Sequence, residues 1–254
     1  MRLGDVTSPT LAALVAGPRP VVALVPVGST EPHGPHLPLA TDVIISDAAC
    51  VRALTRLEAA GVAGVIAPAV PYGVTECAAG FAGAVSVPAS VLTAFLAAVA
   101  DGLLAQGLAH VCLVNNHLEP AHDAAVRAAA TGQGRAGRVS VACPLTRRWA
   151  RTLSDEFKSG ACHAGRYETS IVQAAAPALV DDRARAALPE VPISLSEQLK
   201  AGVTTFAAMG MDRAYAGAPA AATAADGEEQ LARLAEMIVT EIREALARAG
   251  NRSS

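Results

Sequence analysis

Continuous apolar runs alternate with helix-forming stretches through the first part of the chain. A continuous run of Val, Leu, Ile and Ala is typical of a strand that is covered on both faces. The predicted strands span residues 20–27, 62–70, 110–114 and 138–143, and the predicted helices span 42–59, 88–106 and 119–130. This alternation predicts an α/β fold, a three-layer α/β/α sandwich with a mainly parallel central sheet.

The second half of the chain has a weaker pattern. Residues 167–176 are predicted to be helical, and residues 189–219 are predicted to be largely irregular. Near the C-terminus, apolar residues recur every three or four positions, which indicates an amphipathic helix. These residues are Leu231, Leu234, Ile238, Ile242 and Leu246. With no internal repeat in its 254 residues, the chain is predicted to form a single domain, 1–254.

Composition restricts both the core and the possible partners. Hydrophobic residues make up 52% of the chain and aromatic residues only 3%, so Ala, Val, Leu and Ile must form the core. The formal net charge is −3 and the basic residues are scattered, which argues against nucleic-acid binding. This charge favours a small or uncharged substrate.

Hydropathy and cysteine content indicate a cytoplasmic protein that does not enter a membrane. Pro, Gly and charged residues interrupt every apolar stretch before the roughly 20 residues that a spanning helix needs. Residues 1–5 are followed by no apolar run of the secretory kind. The five cysteines lack C-x-x-C spacing, which argues against structural disulfides and a zinc knuckle. Cys112 and Cys143 are predicted to be buried, and Cys77 and Cys162 adjoin loops where a functional role stays open.

Polar side chains directly follow two of the predicted strands. Glu31 and His33 come after the first strand, with Asp42 at the start of the next helix, and His117 and Glu119 come after the third strand. If these strands are neighbours in a parallel sheet, both clusters open at the same edge, where α/β proteins place active sites. All five side chains are of types that bind divalent metals.

The spacing of these residues predicts a metal centre. In an extended loop, the side chains of Glu31 and His33 project from the same side of the backbone, as do those of His117 and Glu119. The two carboxylate oxygens of Asp42 can bridge two ions. Carboxylate and imidazole ligands without cysteine suit Zn²⁺ or Mn²⁺ and argue against a structural zinc. Two such ions lower the pKa of a shared water and polarise a carbonyl oxygen, so the predicted chemistry is hydrolysis by metal-bound hydroxide.

A third polar cluster lies later in the chain, around a glycine turn that leads into a helix. His163 and Glu168 are positioned there to give acid–base help to a leaving amine. His36, in the loop after the first strand, either orients a metal ligand or braces the loop. His110, at a strand start, and His122, on a helix surface, are interpreted as structural or solvated residues.

Three motifs, taken together and in this order, closely resemble the creatininase family, also called creatinine amidohydrolases. They are residues 27–38 (VGSTEPHGPHLP) followed by Thr41 and Asp42, residues 116–119 (NHLE), and residues 163–170 (HAGRYETS). The likeness runs from residue 21 to residue 227, including shorter matches at 72–73 and 215–217. It implies an α/β/α fold, two divalent ions of the Zn/Mn type, hydrolysis of a non-peptide or cyclic amide, and a homo-oligomer, commonly a hexamer.

The resemblance also assigns roles to individual residues. The implied metal ligands are Glu31 and His117 for one ion, His33 and Glu119 for the other, and Asp42 as the bridge between them. The implied acid–base residues are His163 and its nearby carboxylate Glu168, and the implied substrate contacts are Thr75 and Leu118.

One departure from the family pattern concerns the substrate. Creatinine-hydrolysing members use tryptophans near the third motif to enclose the flat ring, whereas this chain has residues 157–161 (FKSGA) there and a single tryptophan, Trp149. This difference argues against creatinine itself. Many relatives also lack the carboxylate of the second motif, whereas this chain keeps Glu119, so a second ion is expected as in the creatininases proper.

Four functions are compatible with these motifs. The first is a metal-dependent amidohydrolase that cleaves a small cyclic or linear amide. The second keeps the same site but acts on a small precursor peptide, as in the mycofactocin-type branch of the family. The third is a non-catalytic binding protein with a degenerate site, against which the intact ligand set argues. The fourth is a metal-dependent isomerase, whose product would contain no oxygen from water.

Overall fold

Four parallel strands form the central sheet of the computed structural model, which describes residues 1–132 and 134–250. The strands are β1 (Val21–Val27), β2 (Ala63–Ile66), β3 (His110–Asn115) and β4 (Val139–Ala142), and their spatial order is β2-β1-β3-β4. Every adjacent pair is parallel. The α/β fold predicted from the strand–helix alternation is therefore confirmed.

Helices cover both faces of this sheet. In chain order they are α1 (Ser8–Val15), α2 (Thr41–Ala59), α3 (Ala89–Ala105), α4 (Pro120–Ala130), α5 (Arg147–Ala150), α6 (Asp155–Ser159), α7 (Arg166–Ala175), α8 (Asp182–Ala186), α9 (Leu195–Lys200) and α10 (Ala224–Gly250). Short 3-10 turns occupy Leu3–Asp5, Pro177–Leu179 and Pro219–Ala221. Helices α2, α7 and α10 pack together on one face, and α3 packs on α4 on the other.

Strand β1 is buried along its whole length because both faces are covered. Val22 and Leu24 contribute to the core beneath α2 and α10, whereas Val21, Ala23 and Val25 contribute to the core beneath α3 and α4. A strand buried on both faces needs no polar alternation, which is why a continuous apolar run predicted it.

Strand β2 is shorter than the predicted strand at residues 62–70. It ends at Ile66. Ala67 still donates its N–H to the Leu24 carbonyl of β1 at 2.8 Å, but the next donor to β1 is the N–H of Val70, 2.9 Å from the Pro26 carbonyl. This three-residue step breaks the even spacing of a parallel ladder, and Val70 forms only an isolated bridge with Val27. The apolar sequence continues past the strand because Val70 is buried in the core.

The segment 189–219, predicted to be largely irregular, contains helix α9. Its later part packs Phe206 and Met211 against Cys77 and Ala78 of the loop that follows β2, in a small hydrophobic cluster separate from the two main cores. The C-terminal helix α10 begins at Ala224, seven residues before the apolar stripe that predicted it. Within the described ranges, no helix is both long enough and apolar enough to cross a bilayer.

Candidate metal centre and its cavity

Two loops that begin at neighbouring strand ends supply the candidate metal centre. The last residues of β1 and β3 pair with each other, so the loops carrying Glu31 and His117 leave the sheet side by side. Asp42 enters from the first turn of α2. This approach depends on Gly28, since a Cβ there would lie 2.7 Å from the Cβ of Asp42. Strands β1 and β3 are therefore neighbours, as the predicted site requires.

The carboxylates of Glu31 and Asp42 face one nitrogen of His117. His117 Nδ1 lies 3.2 Å from Glu31 Oε1 and 2.9 Å from Asp42 Oδ2. The other ring nitrogen, Nε2–H, donates to the carbonyl of Val74 at 2.8 Å and so holds Nδ1 toward the carboxylates. Metal-binding histidines commonly have this arrangement, in which the second ring nitrogen donates to a carbonyl or carboxylate.

Asp42 faces a second group of ligand atoms through its other oxygen. His33 Nε2 lies 3.2 Å from Asp42 Oδ1 and 3.7 Å from Glu168 Oε2. The Nδ1–H of His33 donates to the carbonyl of Glu31 at 3.0 Å, so this imidazole is also oriented by the backbone. Glu168 lies in the first turn of α7 and accepts a 2.7 Å hydrogen bond from the N–H of Ala164. The two oxygens of Asp42 therefore point to different groups.

The donor set and its spacing fit divalent cations. The ligand atoms of each group, Glu31 with Asp42 and His117, and His33 with Asp42 and Glu168, lie within 4.8 Å of one another. Two atoms bonded to one Zn²⁺ at about 2.1 Å and a tetrahedral angle are about 3.4 Å apart. The histidine-to-carboxylate separations within these groups, between 2.9 and 3.7 Å, lie on either side of that value.

Electrostatics also favour a cation at this position. These five residues are at most 3% exposed, and the described ion pairs of their carboxylates are with histidines only. Burial opposes protonation of His33, but the neighbouring carboxyl groups of Asp42, Glu168 and Glu31 together outweigh it and raise the pKa of His33 to about 10. Burial is likewise outweighed at His117, where Glu31 and Asp42 hold the pKa well above its usual value. Burial raises the pKa of Glu168 to about 8. Protons on the imidazoles supply the positive charge that a metal ion would replace.

The structure places Glu119 outside both groups of ligand atoms. Its carboxylate accepts hydrogen bonds from the backbone N–H groups of Glu76 at 3.1 Å and Cys77 at 3.0 Å, in the loop after β2. The resemblance implied that Glu119 and His33 hold one ion together. In the structure, Glu168 lies beside His33, and Glu119 does not. The reason is that two backbone amides hold the Glu119 carboxylate away from the centre.

The two residues expected to contact substrate have different positions. Thr75 is buried and its hydroxyl donates to Glu31 Oε2, so it braces a carboxylate of the centre. Its own backbone N–H donates to Ser86 Oγ at 3.0 Å. Leu118 is partly exposed and lines the cavity above the centre.

His163 lies beside the centre with one ring nitrogen directed into it. Its Nε2–H donates to the carbonyl of Pro32 at 3.0 Å, and its Nδ1 is 3.8 Å from Glu31 Oε1. The ring packs between the rings of His33 and Phe206, with centroid distances of 4.6 and 4.4 Å. Burial and the charge of His33 lower the pKa of His163 to about 4, so its Nδ1 carries a free lone pair at neutral pH.

His122, predicted to lie on a helix surface, is fully buried beneath the centre. Its Nδ1 accepts the backbone N–H of Val74 at 3.2 Å, and the carbonyl of the same residue accepts from His117. Gly73 makes room for this ring, since a Cβ there would lie 2.2 Å from it. The sequence offered one missed signal, because His122 follows Glu119 by three positions and so lies near the strand end.

The other two histidines have structural partners. His36 Nε2 lies 2.8 Å from the hydroxyl of Thr169 in α7, which ties the first loop to the third motif. His110, at the start of β3, lies 2.8 Å from Ser140 Oγ of β4. Both rings are buried. His36 therefore fits the interpretation of a loop brace, and His110 fits its structural interpretation.

A cavity of about 680 Å³ opens onto the candidate centre. Its floor contains Glu31, Asp42, His117, His163 and Glu168. Cys77 and Cys162 also line it, and both thiols are unpaired. Burial raises the pKa of both thiols, so they are neutral at physiological pH and form part of the uncharged lining of the cavity.

Comparisons with known proteins agree with the motifs and the fold. A mycofactocin precursor peptide peptidase of Mycobacterium tuberculosis is 32% identical over 94% of this chain and 91% of its own length. A solved structure described as creatininase Mn has a TM-score of 0.72 at 22% identity, covering 96% of this chain and 98% of that one. A mutant creatininase of the Zn-Zn type has a TM-score of 0.71 at the same identity and coverage. The family model described as creatinine amidohydrolase matches residues 4–242, and the chain therefore belongs to the creatininase family.

Proposed function

We propose that this protein is a metal-dependent hydrolase that cleaves a C–N bond of a peptide at a centre of two divalent ions. The observation that carries the proposal is the position of Asp42, whose two oxygens face two separate groups of ligand atoms. One ion would be held by Glu31, Asp42 and His117, and the other by His33, Asp42 and Glu168. Ions held by these residues would supply a nucleophile by lowering the pKa of a bound water, and would polarise the carbonyl of the scissile bond.

His163 would handle the proton that the reaction moves. Its Nε2–H is committed to the carbonyl of Pro32, so Nδ1 is the nitrogen that faces Glu31 and the cavity. Hydrolysis of a C–N bond moves one proton from the attacking water to the leaving nitrogen, and a positioned imidazole that accepts it and passes it on typically contributes about 10²- to 10⁴-fold. Packing between His33 and Phe206 keeps the ring in this orientation.

Three observations favour a peptide over creatinine as the substrate. The 32% identical relative is a peptide peptidase. The cavity of about 680 Å³ has room for a ligand larger than a small heterocycle. The single tryptophan, Trp149, is turned away from the cavity, and its indole N–H donates to Glu241 of α10 at 2.7 Å. No second tryptophan exists to enclose a flat ring.

A small cyclic or linear amide is the second candidate substrate. The family model described as creatinine amidohydrolase favours it. A homo-oligomer, a hexamer by resemblance, stays a prediction for either substrate, and light scattering of the purified protein tests it.

A substrate panel in ¹⁸O-labelled water separates these functions. Protein loaded with Mn²⁺ or Zn²⁺ is incubated with short peptides, lactams, hydantoins and creatinine. The proposal predicts peptide cleavage with one ¹⁸O in the new carboxyl group, and loss of both metal and turnover in His117→Ala. Turnover of cyclic amides alone would favour the second candidate. A product without ¹⁸O, or full activity of His117→Ala, would contradict metal-dependent hydrolysis at this site.

A further inference from the structure

Charge is distributed unevenly over the cavity that opens onto the candidate metal centre. The acidic groups that line it are buried, and these are Glu31, Asp42, Glu119 and Glu168. The basic groups that line it are exposed, and these are Arg147, Arg151, Lys158 and Lys200. Negative charge therefore lies on the floor, where cations would neutralise it, and positive charge lies at the solvent side of the wall.

Three of these basic side chains have no charge partner of their own. Lys158 pairs with Asp155 at 2.7 Å. Arg147, Arg151 and Lys200 make neither an ion pair nor a side-chain hydrogen bond with any residue in the described ranges. Most other basic side chains in the same ranges pair with an acid. The three unpaired cations are thus available to a charged group that enters the cavity.

The two arginines are held at the cavity by the segment that carries them. Trp149 is 8% exposed, and its indole N–H donates to Glu241 of α10. Arg148 lies over the Trp149 ring at 4.6 Å and makes an ion pair with α10. Because these two residues face α10, Arg147 and Arg151 on either side of them face the cavity. Arg148 thus directs its charge to α10, whereas Arg147 and Arg151 keep theirs free at the cavity.

We propose that Arg147, Arg151 and Lys200 bind the carboxylates of an acidic peptide while its scissile C–N bond lies over the metal centre. The inference rests on the proposed function and gives its substrate a chemical class. Leu145 and Leu199 line the same wall, so a peptide with Glu or Asp beside apolar side chains is complementary to it. The net charge of −3 favoured a small or uncharged substrate, but a net charge does not describe the local field of one cavity.

A binding measurement tests the inference without requiring turnover. Fluorescence anisotropy compares a labelled peptide of alternating Glu and Leu with its Gln and Leu counterpart, on the full chain loaded with Mn²⁺. We expect the Glu peptide to bind about tenfold more tightly, the combined effect of three exposed ion pairs, and this preference to weaken as salt is raised. The triple variant Arg147→Gln, Arg151→Gln, Lys200→Gln should lose the preference.

Arg243→Gln is the matched control, since Arg243 is an exposed arginine of α10 that does not line the cavity. It should keep the tenfold preference. Equal binding of the two peptides by the unmodified protein, or a triple variant that keeps the preference, would overturn the inference.

Cleavage of the same peptides distinguishes the two proposals. If the Glu peptide binds more tightly, the triple variant loses that preference and no peptide is hydrolysed, the proposed function fails and only the binding of acidic peptides stands. If both peptides are hydrolysed with equal kcat/KM and bind equally, the inference fails and the proposed function stands. If both hold, the ratio of kcat/KM for the Glu peptide to kcat/KM for the Gln peptide falls about tenfold in the triple variant.

Discussion

Glu168→Gln should remove one metal ion while leaving the fold intact. Glu168 Oε2 accepts the N–H of Ala164 at 2.7 Å, and a glutamine retains an oxygen that can accept the same hydrogen bond. The same oxygen lies 3.7 Å from His33 Nε2, so the substitution replaces an ionisable carboxyl with a neutral amide and changes the shape little. The ion held by His33 and Asp42 would lose a charged ligand and keep at most an amide oxygen in its place.

The expected loss of affinity can be bounded from below. Removing a group that only orients a metal ligand already lowers affinity by about 10- to 100-fold. Removing a charged ligand should exceed that range, so we expect Kd for the second ion to rise by more than about 100-fold, which corresponds to about 2.7 kcal/mol. The ion held by Glu31, Asp42 and His117 should bind with nearly unchanged affinity.

Titration calorimetry of the metal-free protein with Mn²⁺ measures both sites, and Glu119→Gln is the matched control. Glu119 accepts hydrogen bonds from two backbone N–H groups, so its substitution should cost about 1–3 kcal/mol of stability and change either metal affinity by less than about tenfold. A Glu119→Gln protein that loses the second ion, together with a Glu168→Gln protein that keeps it, would refute this assignment of ligands.

Three further substitutions probe other parts of the structure. His163→Asn should lower kcat by about 10²- to 10⁴-fold with both ions still bound; loss of an ion on calorimetry would instead make His163 a ligand. His122→Phe leaves the buried N–H of Val74 without its acceptor, so we expect about 1–3 kcal/mol less stability. Since the carbonyl of Val74 orients His117, we also expect metal affinity to fall about 10-fold or more. Leu24→Ala, in the fully buried β1, should lower the free energy of unfolding by about 2–5 kcal/mol in urea, and a smaller change would show that the core refills the cavity.

The sequence predicted the sheet well because its strands are buried on both faces. The apolar runs at β1 and β3 are rich in Val and Leu and too short for a buried helix, so their pattern favours a strand. The polar residues directly after them mark the strand ends. The pattern could not predict that β2 stops at Ile66, since the apolar run continues into the core without a hydrogen-bonded ladder. The structure of segment 189–219 could not be predicted for a related reason, because its packing depends on contacts with a loop that is distant in sequence.

The sequence could not decide which of two carboxylates lies beside His33. Glu119 and Glu168 each follow a histidine at short spacing, and both are plausible ligands as residue types. The position of Glu119 depends on backbone N–H groups that are distant from it in sequence. The position of Glu168 depends on the turn that brings α7 beside the loop after β1. His122 was misplaced for a similar reason, since only the approach of Gly73 buries its ring.

Anomalous diffraction from crystals grown with Mn²⁺ would locate the ions directly. Two peaks roughly 3.5–4 Å apart are expected, with Asp42 contacting both, Glu31 and His117 contacting one, and His33 and Glu168 contacting the other. A single peak, or peaks at which Asp42 contacts neither ion, would contradict a two-metal centre built from these residues.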